Sequence, residues 1–142
     1  MKKLIGLALL AWGLWAPVAV AEVEEGGVVD VFAVLQKDKV DPGQPFKSTP
    51  LLRGPNCSLN LAQLLTAVKS HYHRDRDEVV YLIRGHGLLV MAGKEYEVRP
   101  GHAYLVPKGT IHSFVNLGPD AAVVLSVFSP PFDGRDRIFV ED

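Results

Sequence analysis

The sequence is short of most features that announce a function. Among its 142 residues is a single cysteine, Cys57, which excludes an internal disulfide framework and any paired-cysteine zinc or redox motif. Neither sign of charge prevails: 15 Lys and Arg against 16 Asp and Glu leave a formal net charge of −1, without the basic excess of a nucleic-acid binder. Both tryptophans, Trp12 and Trp15, fall near the start. There are no internal repeats, no blocks of like charge and no long helical pattern past residue 21. A hydrophobic content of 48% still suffices for a core, and the length suits one domain.

What is present begins with a leader. Lys2 and Lys3 precede an uncharged run from Leu4 to Ala21, which ends in Ala19-Val20-Ala21. A short positive region, an apolar stretch and small residues at a cleavage site predict a secretory signal peptide cut after Ala21. A spanning helix is the competing reading, but Gly6, Gly13 and Pro17 interrupt a run barely long enough to cross a bilayer. The expected division is a signal peptide at 1–21, a lead-in at 22–47, a β-barrel at 48–129 and a tail at 130–142. The location implied is periplasmic or secreted, with no membrane attachment after cleavage, since no lipid-attachment cysteine follows the leader. In that oxidising compartment Cys57 is expected to be a buried free thiol, with pairing between chains as the alternative.

The rest of the chain reads as strands. Val28 to Leu35 alternates in a way that suits a strand, and Asp41-Pro42-Gly43-Gln44-Pro45 is a turn, with glycine expected at positive φ. Leu59 to Leu65 suits a helix or a strand. Val79–Ile83, Leu88–Met91, Tyr96–Val98, Ala103–Val106, Ile111–Val115 and Ala121–Phe128 are rich in β-branched and aromatic residues, and glycine or proline turns separate them. That spacing predicts an all-β sandwich or barrel. The prolines of Ser129 to Arg137 rule out a central strand there, whereas Ile138-Phe139-Val140 can join a sheet edge of this chain or of another subunit.

Two of the five histidines stand in His71-Tyr72-His73, at the i and i+2 positions that share one face of a strand. Glu78 follows where a hairpin can return it to the same side, and His112 begins a later strand run. Three imidazoles and a carboxylate that converge can hold a divalent transition metal with positions open to water or substrate. Asp77 competes with Glu78 for the carboxylate role. His86 and His102 follow turn glycines and are expected to be exposed, and Arg74, Asp75 and Arg76 read as a solvated loop, with the rim of the pocket mouth as the alternative. Strand parity sets Val80 and Leu82 on the face of Glu78 and Phe114 on the face of His112, so all three are candidate pocket-lining residues. No second acid–base pair is evident among the remaining carboxylates.

Together these residues resemble the cupin superfamily. His71-x-His73-x₄-Glu78-x₆-Gly85 is similar to the first cupin motif, and Gly101-x₅-Pro107-x-Gly109-x₂-His112-x₃-Asn116 matches the second at every fixed position. The one departure is Leu65, where the first motif begins with glycine. The resemblance covers about residues 59 to 128. It implies a small jelly-roll β-barrel, a strand over 59–67, a single divalent metal (Fe, Mn, Ni, Zn or Cu) held by His71, His73, Glu78 and His112, and a homodimer. Asn116 is expected to fix a turn or support a ligand.

The function implied is an exported metal-binding cupin: a metal-dependent enzyme of dioxygenase, isomerase or lyase type that acts on a small organic molecule. A non-catalytic cupin that captures a small ligand or a metal is the alternative, and a purely structural module ranks last because it has no need of all four ligands. Neither a nucleic-acid nor a membrane partner is expected.

Overall fold

The computed structural model describes residues 24–25 and 27–141; the expected signal peptide lies outside the described residues. The elements are β1 (Glu24–Glu25), α1 (Val31–Lys37), β2 (Phe46–Arg53), β3 (Ser58–Leu64), β4 (Ala67–Tyr72), β5 (Asp77–Arg84), β6 (Gly87–Met91), β7 (Lys94–Val98), β8 (Ala103–Val106), β9 (His112–Asn116), β10 (Ala122–Ser129) and β11 (Ile138–Phe139). They form two sheets, one ordered β1-β2-β3-β10-β5-β8 and the other β11-β4-β9-β6-β7. The strands pair antiparallel, apart from β1 with β2. Because β10 lies between β3 and β5, and β9 between β4 and β6, strands distant in sequence become neighbours, as a jelly roll requires.

Alternation along the strands builds the core. In β5 the side chains of Glu78, Val80 and Leu82 are buried, while Asp77, Val79 and Tyr81 face out. Val80 and Leu82 meet Leu64, Val68, Leu89, Phe114 and Val124 between the sheets. Each such fully buried aliphatic side chain contributes about 1.5–3 kcal/mol relative to exposure. The leucine-rich segment resolves as β3, buried on both faces; the strand expected over 59–67 ends at Leu64, because the chain bends at Leu65 and Thr66 before β4.

The reason for that double burial is α1, which corrects the strand expected over Val28–Leu35. Asp30 caps the helix by accepting from the backbone N–H of Ala33 at 3.0 Å, and Lys37 in the last turn suits the helix dipole. Val31, Val34 and Leu35, three and four residues apart, pack with Leu51, Leu61 and Val123 on the outer face of the six-stranded sheet. The lead-in is therefore part of the fold, and β2 already begins at Phe46 despite Pro50. No helix among the described residues is long and apolar enough to cross a membrane.

Two further expectations change, and an open one is resolved. Gly43 sits in the turn, where Gln44 N–H bonds the Asp41 carbonyl at 2.9 Å, but its φ is not positive. Cys57 is exposed rather than buried, because it lies in the turn between β2 and β3, where its carbonyl accepts from Gly54 N–H. The tail segment Ile138–Phe139 pairs with Tyr72 and His71 of its own chain.

Gly85 of the first motif and its neighbour Gly87 have steric reasons. Gly85 takes φ +84°, and a Cβ on Gly87 would stand 2.3 Å from Phe114 Cζ and 2.5 Å from the Val115 carbonyl oxygen. Gly87→Ala is expected to destabilise the fold by about 1–3 kcal/mol, since a backbone atom cannot step aside. Gly43→Ala, with open space around it, should leave the urea midpoint unchanged or slightly higher.

Candidate metal centre

The two sheets deliver four side chains to one end of the space between them. His71 stands near the end of β4, His73 just past it, and His112 opens β9 directly opposite His71. Glu78 comes from β5 in the other sheet. All four are buried. One ligand atom from each of His71, His73 and His112 lies within 4.8 Å of the others, and Glu78 Oε2 is 3.3 Å from His73 Nε2 and 3.4 Å from His112 Nε2.

The backbone fixes which nitrogen faces inward. His71 Nδ1–H donates to the Lys69 carbonyl at 2.8 Å, His112 Nδ1–H to the Thr110 carbonyl at 3.0 Å, and His73 Nδ1–H to the Asp136 carbonyl. A carbonyl only accepts, so in each neutral ring Nδ1 carries the proton and Nε2 keeps its lone pair. Two of those lone pairs face a carboxylate, and His73 Nε2 is buried without a hydrogen-bond partner. Lone pairs gathered around a carboxylate repel one another unless positive charge stands between them, supplied by protons or by a metal ion. The donor set fits a metal: borderline imidazole nitrogens with one hard oxygen, enclosed by protein.

Electrostatics favour the same state. Burial, with His112 and further positive groups nearby, lowers the His71 pKa to about 4 and keeps the ring neutral over a wide range. Burial alone would raise the Glu78 carboxyl, yet where protons rather than a metal ion supply the positive charge, hydrogen bonds and charge from His112 and His73 outweigh it and hold the group well below the usual carboxylate range. Burial, helped by Glu78, pushes the Tyr104 hydroxyl up, so it stays protonated.

A cavity opens from the cluster. Val80 and Phe114 line it as parity predicts, together with Leu89, Tyr104, Ser126 and Phe128. Leu82 does not line it: it is completely covered in the core. Asp77 is exposed and accepts from Lys108 N–H at 2.8 Å, leaving the site to Glu78. His102 is exposed and His86 half-buried, both away from the cluster. Asn116 pins its turn, donating to the carbonyls of Leu65 and Asp120 and accepting from Gly118 N–H. Leu65 thus serves where the motif has glycine, at a φ that is not positive.

Sequence reading missed the tail. Arg76 is buried rather than solvated: its guanidinium donates to the Pro131 carbonyl at 2.9 Å and pairs with Asp133 at 3.2 Å and Asp136 at 2.8 Å. Asp136 in turn accepts from the backbone N–H groups of Arg74 and Asp75, and its own carbonyl holds His73. Arg137 lines the cavity. Prolines and turn residues around them gave no signal of this role.

The comparisons agree with the geometry. The Cupin_2 family model, described as a cupin domain, matches residues 65–128. Over that stretch the chain is similar to a cupin domain. It is similar to an uncharacterised protein of Aquifex aeolicus, 28% identical over 128 residues that span 90% of this chain and 98% of that one. An acireductone dioxygenase of Bacillus licheniformis is 27% identical over 121 residues, 82% of this chain and 67% of the enzyme. Among solved structures, a Klebsiella pneumoniae protein with a double-stranded β-helix domain aligns with a TM-score of 0.67 at 18% identity, covering 83% of this chain and all of that one. A Thermus thermophilus protein aligns at 0.65 and 24%, covering 74% of this chain and 98% of its own. These structural likenesses show the fold.

Two measurements follow. In the folded protein His71 takes up its proton near pH 4, whereas the unfolded chain takes it up near 6.5. The unfolded state therefore binds more protons in that window, and the metal-free protein should lose stability as pH falls from about 6.5 to about 4. His71→Gln should flatten a melting-temperature profile there. Asp136→Ala should cost about 2 kcal/mol in urea denaturation, because charge-assisted bonds to Arg74 and Asp75 and the Arg76 pair vanish together.

Proposed function

We propose that this chain is an exported, metal-dependent cupin enzyme of the dioxygenase type acting on a small organic molecule. The observation that carries this reading is the convergence of three imidazoles, each oriented by a backbone carbonyl, with the Nε2 atoms of His73 and His112 against the Glu78 carboxylate. The similarity to an acireductone dioxygenase favours oxygen chemistry over isomerase or lyase chemistry, and hence a redox-active ion, iron first. When bound, such an ion supplies Lewis acidity and one-electron chemistry.

His71, His73, Glu78 and His112 would hold the ion. The chain's other residues shape what happens beside it. Val80, Leu89, Phe114 and Phe128 keep the cavity largely apolar, which limits water and strengthens each polar contact inside. Tyr104 keeps its hydroxyl proton and so can donate to a substrate oxygen, while Ser126 offers a second hydroxyl. Export rests on Lys2, Lys3, the Leu4–Trp15 run and Ala19-Val20-Ala21. A homodimer belongs to the same reading, supported by the exposed apolar face of Val79, Tyr81 and Leu105 on β5 and β8.

Metal content by mass spectrometry tests it, on full-length expression product purified from the cell envelope without chelator or nickel resin. About one equivalent of a redox-active metal is expected, with His71→Ala and His112→Ala falling below roughly a tenth of that. The intact mass should correspond to a chain starting at Glu22. Full occupancy in both variants would overturn the ligand assignment, and metal without substrate-dependent oxygen uptake would favour the non-catalytic binder.

A further inference from the structure

Arg137 is a charged group lining the cavity that metal binding does not use. It immediately precedes β11, and the pairing of Phe139 with His71 sets it beside the cluster. Its guanidinium carbon lies 5.0 Å from the Phe46 ring centroid and 5.3 Å from that of Phe132. These rings favour a cation but accept none of its hydrogen bonds. The Nε atom is buried without a hydrogen-bond partner, and among the described residues no carboxylate pairs with the group. Arg76 makes the contrast in its ion pairs: its Nε likewise lacks a well-aligned hydrogen bond, but its charge is met by Asp136 at 2.8 Å, by Asp133 and by the Pro131 carbonyl. A guanidinium remains charged even when burial disfavours it, so Arg137 directs unspent donors and a positive charge at the cavity.

Charge balance says what belongs there. The three rings are neutral when they act as ligands, a divalent ion brings two positive charges, Glu78 returns one, and Arg137 adds another. Tyr104, held protonated, offsets nothing. Positive charge in excess between apolar walls is costly until an anion enters.

We propose that the cavity takes a small organic carboxylate, which sits between the histidine cluster and Arg137 with its oxygens on the guanidinium N–H donors. A planar carboxylate matches the fork of an arginine better than a tetrahedral anion does. The apolar body of the ligand lies against Val80, Leu89 and Phe114. The charge argument rests on the metal reading above, whereas the unpartnered donors of Arg137 do not.

Calorimetric titration with acetate, propanoate and benzoate, each against its neutral amide, tests the assignment. The titrations use wild type, Arg137→Gln and Arg137→Lys, as purified and after metal removal. At least one carboxylate should bind wild type about tenfold or more tighter than its amide. Arg137→Gln should weaken that carboxylate by about 10- to 100-fold, leaving amide affinity, metal content and melting temperature near wild type. Arg137→Lys, which keeps the charge but loses the fork, should fall between. The inference is overturned if no carboxylate binds wild type, or if Arg137→Gln binds it equally well. Wild type that holds no metal yet shows Arg137-dependent carboxylate binding would remove the enzyme reading and leave this one standing; metal-loaded protein indifferent to Arg137 would do the reverse.

Discussion

A carboxylate buried between two sheets has to be matched by positive charge, and Glu78 is such a group. It stands on β5, in one sheet, while the imidazoles that face it stand on or beside β4 and β9 in the other. The spacing of the sheets is therefore a chemical quantity as well as a packing one. Val80, Leu82, Leu89 and Phe114 hold that spacing by filling the interior just beyond the site. Gly87, which lets β6 come against Phe114 and Val115, is part of the same adjustment.

Most of this was legible in the order of residues. The i, i+2 histidines share a face because a strand has a period of two, and the glycine-bounded apolar runs became strands within a residue or two of their expected limits. The four candidate ligands do come together. What misled was local ambiguity. Val29, Val31 and Ala33 alternate as a strand would, yet Val31, Val34 and Leu35 also form a helical stripe, and an uncovered sheet face with an Asp30 cap decided between them. Cys57 looked like a core residue by type alone; its place in a turn left it outside.

The tail was illegible for a different reason. Asp136 reaches back to Arg74, Asp75 and Arg76 across some 60 positions, through pairings that no local pattern encodes. A stretch of proline, glycine and charge reads as solvent-exposed, and its role appears only when the fold brings it against the loop after His73. There it meets the buried Arg76 charge, completes the support of His73 and carries Arg137 into the cavity.

Among the described residues, the Nδ1 atoms of the three histidines are held by carbonyl groups. Every residue type has a carbonyl, so exchanging Lys69 or Thr110 for another amino acid leaves the orienting acceptor in place. The tautomers are thus insulated from point substitution at these neighbours and sensitive only to movement of the main chain. Cavity walls and rim can diverge freely under such an arrangement, changing what is accepted while the inward-facing nitrogens stay as they are.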